Sequence, residues 1–354
     1  MRIADFAART PLEYSDRLSA ATGANVYLKR EDLQSVRSYK LRGAYNLLQQ
    51  LTEDELRAGV VCSSAGNHAQ GFALACRTMK VHGRVYVPAK TPKQKRDRLR
   101  YHGGEYIEDI VGGSTYDDAA AAAIADVART GATLVPPYDD PRTIAGQGTI
   151  AVEILDQLET EPDLVIVAVG GGGCISGVTT YFAERTSNTS VLGVEPAGAA
   201  SMIAALAAGK PVDLDHVDQF VDGAAVKRAG TLTFQALASA GDMVSVTSVD
   251  EGAVCTAMLD LYQKEGIIAE PAGALSVAAL QNLTFEPGST VVCLISGGNN
   301  DVSRYGEILE RSLVHLGLKH YFLVDFPQEP GALRRFLDEV LGPNDDITLF
   351  EYVK

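Results

Sequence analysis

The sequence predicts an α/β fold, and three observations support this. Short apolar runs alternate along the chain with longer segments of helical period, which is the pattern of α/β proteins. The chain has 354 residues, enough for two domains. Apolar residues make up 46% of the chain and charged residues 21%, so a large globular core is expected.

The elements follow from this alternation in chain order. The apolar runs, bounded by turn residues, predict strands at 26–29, 59–63, 84–87, 105–110, 133–135, 164–169, 190–194, 243–246 and 290–295. The segments of helical period between and after them predict helices at 42–50, 69–79, 92–101, 116–129, 143–158, 175–184, 249–264, 273–281 and 301–314. One of these helices contains the basic stretch 93–100, which we expect to be a solvated helix face.

The last part of the sequence predicts a separate unit. An apolar strand at 321–326 is followed by Pro330-Gly331, a helix at 332–341 and a strand at 347–352. This order is that of a βαβ module, of which only one piece is expected here. Since one such piece leaves its strand edges unpaired, it would need a partner surface.

Charge and composition exclude several classes of function. The formal net charge of −14 argues against nucleic acid and against an anionic membrane surface as partners. No apolar run is long enough to span a bilayer, and the first residues do not resemble a signal peptide. The five cysteines form no C-x-x-C pair and have mostly apolar neighbours, so reduced thiols in a cytoplasmic protein are expected.

Lys40 is the first candidate for chemistry. It lies in the run Ser38-Tyr39-Lys40-Leu41-Arg42-Gly43-Ala44, between an aromatic ring and a short apolar turn. A lysine in a partly dry pocket loses its proton more readily and can then form a Schiff base with an aldehyde. A lone lysine is usually solvated, so the assignment depends on the segments that follow.

Two glycine-containing loops follow predicted strands and open helices. In residues 64–71 small residues and a helix N-terminus offer backbone N–H groups to a carboxylate, and the Asn67 amide could bind a phenolic oxygen. An ordinary strand-to-helix turn capped by Asn67 is an equal alternative. The second loop contains four successive glycines that can aim N–H groups at a phosphate: Gly170, Gly171, Gly172 and Gly173. Its spacing is that of neither a P-loop nor a dinucleotide site.

A third loop starts where the strand at 290–295 ends. It reads Ser296-Gly297-Gly298-Asn299. A serine hydroxyl can bond a neutral pyridine nitrogen, whereas an aspartate would keep that nitrogen protonated. By itself this segment would be interpreted as a turn.

Together these segments resemble, in order and approximate spacing, the tryptophan-synthase-β-like enzymes of fold type II that use pyridoxal 5′-phosphate (PLP). The sequence most resembles the biosynthetic threonine dehydratases of that group, over roughly residues 1–318. The resemblance implies two three-layer αβα domains with twisted, mostly parallel sheets and the cofactor between them. The large domain would comprise 1–38 and 141–318, the small domain 39–140, and residues 319–354 would be a partial ACT-like regulatory domain.

The resemblance also implies roles for individual residues. Lys40 would carry the cofactor and act as the catalytic base. The other residues of the cofactor pocket would be Tyr39, Asn67, Gly170, Gly171, Gly172, Gly173, Gly223, Glu270 and Ser296. The substrate carboxylate would be bound by Ser64, Ala65, Asn67 and His68.

The implied activity is PLP-dependent dehydration and deamination of L-threonine to 2-oxobutanoate and ammonia. This is the first committed step of isoleucine biosynthesis, and L-serine is expected as a secondary substrate. Isoleucine and valine are the expected effectors, and a homodimer or homotetramer the expected assembly. Glu195 and Ala199 resemble cation ligands, and because Ser201 replaces the aspartate of divalent-binding relatives, a monovalent ion such as K⁺ is expected.

Other functions remain open from the sequence. A serine dehydratase or serine racemase would share most of these motifs. Ala65 replaces the serine that exchanges a proton in racemases, which favours elimination. A non-catalytic amino-acid sensor would keep the fold and the terminal module, but the intact Lys40 argues against it.

Overall fold

The computed structural model describes residues 2–325, 327 and 329–351. Their strands are β1 (Leu12–Tyr14), β2 (Asn25–Arg30), β3 (Val60–Ser63), β4 (Gly83–Val87), β5 (Ile107–Val111), β6 (Thr133–Leu134), β7 (Leu164–Ala168), β8 (Ser190–Pro196), β9 (Val244–Val249) and β10 (Thr290–Ile295). All nine strands predicted before residue 300 are therefore present, and β1 is an additional one.

Helices cover most of the segments between these strands. They are α1 (Asp16–Thr22), α2 (Lys40–Leu48), α3 (Glu53–Ala58), α4 (Asn67–Met79), α5 (Lys93–Gly103), α6 (Tyr116–Thr130), α7 (Pro141–Gln157), α8 (Gly173–Arg185), α9 (Ser201–Ala208), α10 (Thr231–Ser239), α11 (Glu251–Glu265), α12 (Pro271–Ala278), α13 (Tyr305–His315) and α14 (Ala332–Glu339). The sequence did not predict α1, α3, α9 or α10, which are six to nine residues long.

The strands form two sheets. The larger has the order β1-β2-β10-β7-β8-β9, and the smaller has the order β5-β4-β3-β6. Only the β1–β2 pair is antiparallel among the described strand pairs. The predicted α/β fold with mostly parallel sheets is confirmed.

Helices cover both faces of each sheet, because its strands are apolar on both sides. One core joins the larger sheet to α11 and α12, and another joins its opposite face to α7, α8 and α10. The smaller sheet packs on one face against α2 and α4 and on the other against α6. Both units are thus three layers thick, while the exact domain limits given above stay a prediction.

A buried network of charges holds α2 to the larger sheet. The Arg42 side chain on α2 donates to both oxygens of Glu31, at 2.7 and 2.8 Å, and to Glu153 on α7 at 2.7 Å. Lys29 on β2 donates to the other oxygen of Glu153 at 2.7 Å. These four side chains are at most 3% exposed and their formal charges cancel. The helix that begins with Lys40 is therefore fixed two residues into its first turn.

Close packing also fixes the start of α2 against α4. Gly71 on α4 lies so near that a Cβ atom there would be 2.7 Å from the backbone nitrogen of Leu41. Because no side chain fits in that space, the two helix backbones touch and Lys40 is held opposite the start of α4.

The ring of Phe220 joins α13 to the loop before α10. Phe220 is 3% exposed, and two guanidinium groups lie over its ring, that of Arg304 at 4.6 Å and that of Arg311 at 4.2 Å from its centre. Arg304 also donates to the Phe220 carbonyl oxygen at 2.9 Å. We call this arrangement the Phe220 clamp.

The C-terminal unit forms its helix but not the predicted strands. α14 agrees with the helix predicted at 332–341. Residues 321–325 and 347–351 have no strand pairing, so the two strand predictions are wrong within the described residues; residues 326 and 352 lie outside them. The reason is physical: a strand needs a hydrogen-bonded neighbour, and here apolar side chains such as Phe322 and Leu349 are exposed with no sheet beside them.

Candidate active site

A cavity of about 820 Å³ lies between the two sheets. It is bordered by the loops that follow β3, β7 and β10, because the carboxyl ends of parallel strands meet at one edge of a sheet. The predicted cofactor and substrate residues all line it: Tyr39, Lys40, Ser64, Ala65, Asn67, His68, Gly170, Gly171, Gly172, Gly173, Gly223, Glu270 and Ser296. Its volume suits a small-molecule cofactor together with a substrate.

Lys40 begins α2 and extends into this cavity. Its ammonium nitrogen donates to the Pro137 carbonyl oxygen at 3.2 Å and lies 5.3 Å from the centre of the Tyr39 ring. Burial lowers the pKa of Lys40 to about 8, although Cys174 and Glu270 favour its charged form. A substantial fraction of this amine is therefore neutral near pH 8 and can act as a nucleophile or a base.

The start of α4 forms the wall near Lys40. Four N–H groups at a helix start lack helical acceptors, and the helix dipole makes them attractive to an anion. His68 lies in this first turn, where its Nε2 is 2.8 Å from the Val135 carbonyl oxygen. Since a carbonyl can only accept, Nε2 carries the hydrogen and Nδ1, which has no partner among the described residues, is an acceptor. Burial lowers the pKa of His68 to about 3, so the ring is neutral.

Glu270 and Asn67 meet on another side of the cavity. The Asn67 amide nitrogen donates to Glu270 at 2.6 Å, and its oxygen accepts from Asn299 at 2.8 Å. Burial raises the pKa of Glu270 to about 7, and Asp222 adds to the rise. A carboxyl group next to the cavity is therefore close to half protonated at neutral pH.

The tetraglycine loop connects β7 to the start of α8. A Cβ atom on Gly171 would lie 2.3 Å from the ring of Tyr138, and Gly172 has a φ of +90°. The conformation thus requires glycine at both positions. Among the described residues no side chain caps the N-terminus of α8 by a hydrogen bond, and Gly172, Gly173 and Cys174 line the cavity, so the N–H groups there are available to a phosphate.

Ser296 directly follows β10 and lines the cavity. Its hydroxyl donates to the Ala272 carbonyl oxygen at 3.2 Å. The hydroxyl can rotate from that carbonyl toward a neutral pyridine nitrogen, but it offers no negative charge that would keep such a nitrogen protonated.

The predicted cation ligands lie outside this cavity. Glu195 is fully buried, and its carboxylate accepts from the backbone nitrogens of Met202 at 2.7 Å and Ile203 at 2.9 Å. Ala199 lies in the short turn between them. No group of three or more His, Cys, Asp or Glu side chains within the described residues could hold a metal ion. The monovalent cation at Glu195 and Ala199 stays a prediction.

Many residues of the cavity wall carried no signal in the sequence, and two pairs of them are examples. Pro137 and Tyr138 come from the loop before α7, whereas Lys95 and Arg98 come from α5. Lys95 pairs with Asp222 at 2.8 Å. The stretch 93–100 is largely solvated, as predicted, since Leu99 is its one buried residue among those described. In addition, the long side chains of Lys95 and Arg98 reach the cavity wall.

Two family models match the chain. One, described as pyridoxal-phosphate dependent enzyme, matches residues 3–297. The other, described as the C-terminal regulatory domain of threonine dehydratase, matches residues 310–354. No helix within the described ranges is both long and apolar enough to cross a membrane.

Similar proteins support the same assignment. L-threonine dehydratase biosynthetic IlvA of Mycobacterium tuberculosis is 84% identical over 353 residues, which is 100% of this chain and 82% of that protein. The protein of the same name from Corynebacterium glutamicum is 60% identical, with 100% and 82% covered.

Solved structures agree with these relatives. The processed form of threonine deaminase isoform 2 from Solanum lycopersicum superposes with a TM-score of 0.82 at 38% identity, over 88% of this chain and 90% of that one. Maize serine racemase gives a TM-score of 0.80 at 30% identity, over 89% and 96%. The chain belongs to the pyridoxal-phosphate dependent enzymes and, among them, to the family of biosynthetic L-threonine dehydratases.

Proposed function

We propose that this protein catalyses the dehydration and deamination of L-threonine to 2-oxobutanoate and ammonia with PLP, the first committed step of isoleucine biosynthesis. The observation that carries the proposal is the Lys40 amine, whose pKa burial lowers to about 8 in a cavity that is also lined by the N-terminus of α8. PLP has an aldehyde that would react with the Lys40 amine and a phosphate that would bind at the helix N-terminus.

The cavity is large enough for PLP, and its hydrogen-bond donors match the polar groups of PLP. The N–H groups of the tetraglycine loop and of α8 would hold the phosphate, and Ser296 would face the pyridine nitrogen. Asn67 would donate to the ring hydroxyl, with Tyr39, Gly223 and Glu270 beside it. Bound PLP supplies an electron sink for the carbanion that forms at Cα of the substrate.

The protein's own groups then bind the substrate and move its protons. Ser64, Ala65, Asn67 and His68 at the start of α4 hold the substrate carboxylate, because the free N–H groups and the dipole favour an anion there. The neutral Lys40 amine takes the Cα proton, as a general base. The β-hydroxyl takes up a proton from the protonated Lys40 side chain and leaves as water, and hydrolysis of the resulting enamine gives 2-oxobutanoate and ammonia.

The test uses two lysines of the same cavity. Borohydride reduction of the PLP-loaded protein, followed by peptide mapping, should place the label on Lys40. Lys40→Ala should lose the label and reduce turnover by at least about 10²-fold, the usual contribution of a general base, whereas Lys95→Ala should keep the label. A label on another lysine, or normal turnover by Lys40→Ala, would contradict the proposal.

Substrate preference separates this activity from that of the racemases. L-Threonine should be converted faster than L-serine, the secondary substrate, and no D-serine should form from L-serine, since Ala65 provides no hydroxyl to return a proton. Measuring 2-oxobutanoate, pyruvate and D-serine from the same preparation decides between them.

Regulation and assembly are further parts of the proposal. The match of residues 310–354 to a regulatory domain supports isoleucine and valine as effectors. Isoleucine should raise the threonine concentration needed for half-maximal rate, and valine should oppose that effect; unchanged saturation curves would contradict it. Exposed apolar side chains such as Phe322 and Leu323 support a homodimer or homotetramer, which sedimentation at several protein concentrations would test. A cytoplasmic location is a separate part of the proposal.

A further inference from the structure

A chain of hydrogen bonds crosses the cavity from α5 to Glu270. The Arg98 guanidinium donates to the amide oxygen of Asn299 at 2.5 Å, and the Asn299 nitrogen donates to the amide oxygen of Asn67 at 2.8 Å. The Asn67 nitrogen in turn donates to Glu270 at 2.6 Å. We call these four residues the amide relay.

The direction of the relay is fixed by chemistry at two points. A guanidinium has no acceptor, so the oxygen of Asn299 must face Arg98. The Asn299 nitrogen also donates to the Val36 carbonyl oxygen at 2.8 Å, and a carbonyl cannot donate. Both contacts give Asn299 the same orientation. Asn67 must then present its oxygen to Asn299 and its nitrogen to Glu270 and the cavity, whatever the protonation state of Glu270.

The relay leaves one hydrogen of the Asn67 nitrogen for a ligand. An amide nitrogen carries two hydrogens, and Glu270 takes one of them. Were the amide reversed, an oxygen would face the cavity and would repel a phenolic oxygen instead of binding it. The orientation of one side chain therefore decides whether this wall donates or accepts.

We propose that Arg98 and Asn299 are positioning residues that fix the Asn67 amide as a donor to the phenolic oxygen of the cofactor. The inference rests on the proposed function, since it requires PLP in this cavity. Arg98 acts from the smaller sheet's side, whereas Asn299 follows β10 of the larger sheet. The donor is thus fully oriented only when both walls are in place.

Two pairs of variants test the relay. Asn299→Asp keeps the shape and the contact with Arg98 but removes the hydrogen given to Asn67. Its control is Asn300→Asp, the same change at the next residue, which also lines the cavity and contacts Ala269 and Tyr305 instead. Arg98→Met removes the first donor, and its control is Lys95→Met, which breaks another contact across the cavity, that with Asp222.

The readouts are the absorption spectrum of the bound cofactor and its affinity for the cofactor-free protein. Asn299→Asp and Arg98→Met should shift intensity from the long-wavelength band to the short-wavelength band, because the phenolic oxygen loses a donor and takes up a proton. Their dissociation constants for PLP should rise about fivefold to tenfold, the value of one hydrogen bond. The two controls should keep the spectrum and an affinity within about twofold.

A third readout needs no cofactor. In protein with isotope-labelled asparagine, hydrogen exchange at the Asn67 side-chain amide should be faster in Asn299→Asp than in Asn300→Asp. If each variant and its control behave alike in exchange, spectrum and affinity, the relay does not position Asn67. That result, obtained with unaltered protein that binds PLP and forms 2-oxobutanoate, overturns the relay and leaves the proposed function standing.

Discussion

Replacing Arg42 by Met should destabilise this protein more than almost any other single change on α2. Arg42 is fully buried and donates five hydrogen bonds, to Glu31, Glu153, Thr149 and the Ala8 carbonyl. Burial alone would raise the pKa of Glu31, but the Arg42 guanidinium outweighs it and the pKa lies below its ordinary value. The variant would leave the two buried carboxylates of this network with one cationic member, the Lys29 ammonium, and among its described contacts Glu31 would keep only the neutral donors Thr10 and Gln34.

The expected loss follows from that imbalance. Removing one member of a buried ion pair costs about 3–5 kcal/mol, a large fraction of the roughly 5–15 kcal/mol by which a typical domain is stable. The control is Arg57→Met, since the Arg57 side chain is 73% exposed and its ion pair with Asp54 lies at the surface. That change should cost no more than about 1 kcal/mol.

The assay is urea unfolding of the cofactor-free variants, followed by circular dichroism and compared by their midpoints. A double variant, Arg42→Met with Glu31→Gln, restores the charge balance and should recover part of the loss. If Arg42→Met shifts the midpoint no further than Arg57→Met does, the network does not stabilise the start of α2 and the reasoning is refuted.

Three further predictions concern the cavity and its supports. The rate at which PLP reacts with the cofactor-free protein should rise about tenfold per pH unit up to about pH 8 and then level off, because only the neutral Lys40 amine reacts. Stopped-flow absorbance measures this rate, and a rate that does not change with pH would contradict the lowered pKa of Lys40. Gly71→Ala should lower the free energy of unfolding by about 1–3 kcal/mol, because the added Cβ atom meets the backbone of Leu41. The control is Gly306→Ala, in open space on α13, which should be neutral or stabilising when both variants are compared by thermal unfolding. Glu270→Gln should become more stable relative to the unaltered protein as pH rises from about 4.5 to 7: the folded-state pKa is raised, so the unfolded chain loses its proton first and stability falls over that window. Equal pH dependence of the two proteins would show that Glu270 titrates normally.

The sequence predicted the cavity better than its surroundings. Loops such as that of Gly170 can be located because glycine runs between a strand and a helix have few other uses, and Lys40 and Ser296 came with distinctive neighbours. The relay was not predictable in the same way. The contact of Arg98 with Asn299 joins residues 201 positions apart, and a basic residue on a surface helix gives no sign of which wall it will reach.

The strand predictions in the C-terminal unit were wrong because a strand cannot be predicted from its own composition alone. The apolar segment at 321–325 has the composition of a strand. Pairing depends on a neighbouring strand, which local sequence cannot supply. The short helices α9 and α10 were missed because eight or nine residues carry too few turns for a periodic pattern to be distinguished from a loop.

The Phe220 clamp links one wall of the cavity to α13. Asp222 and Gly223, which line the cavity, follow Phe220 by two and three residues. Of the two arginines that contact the Phe220 ring, Arg304 directly precedes α13 and Arg311 lies within it. The match to the regulatory domain begins at residue 310, inside that same helix. The helix in which the match to the regulatory domain begins and the segment that leads to Asp222 and Gly223 are therefore in contact through one aromatic ring.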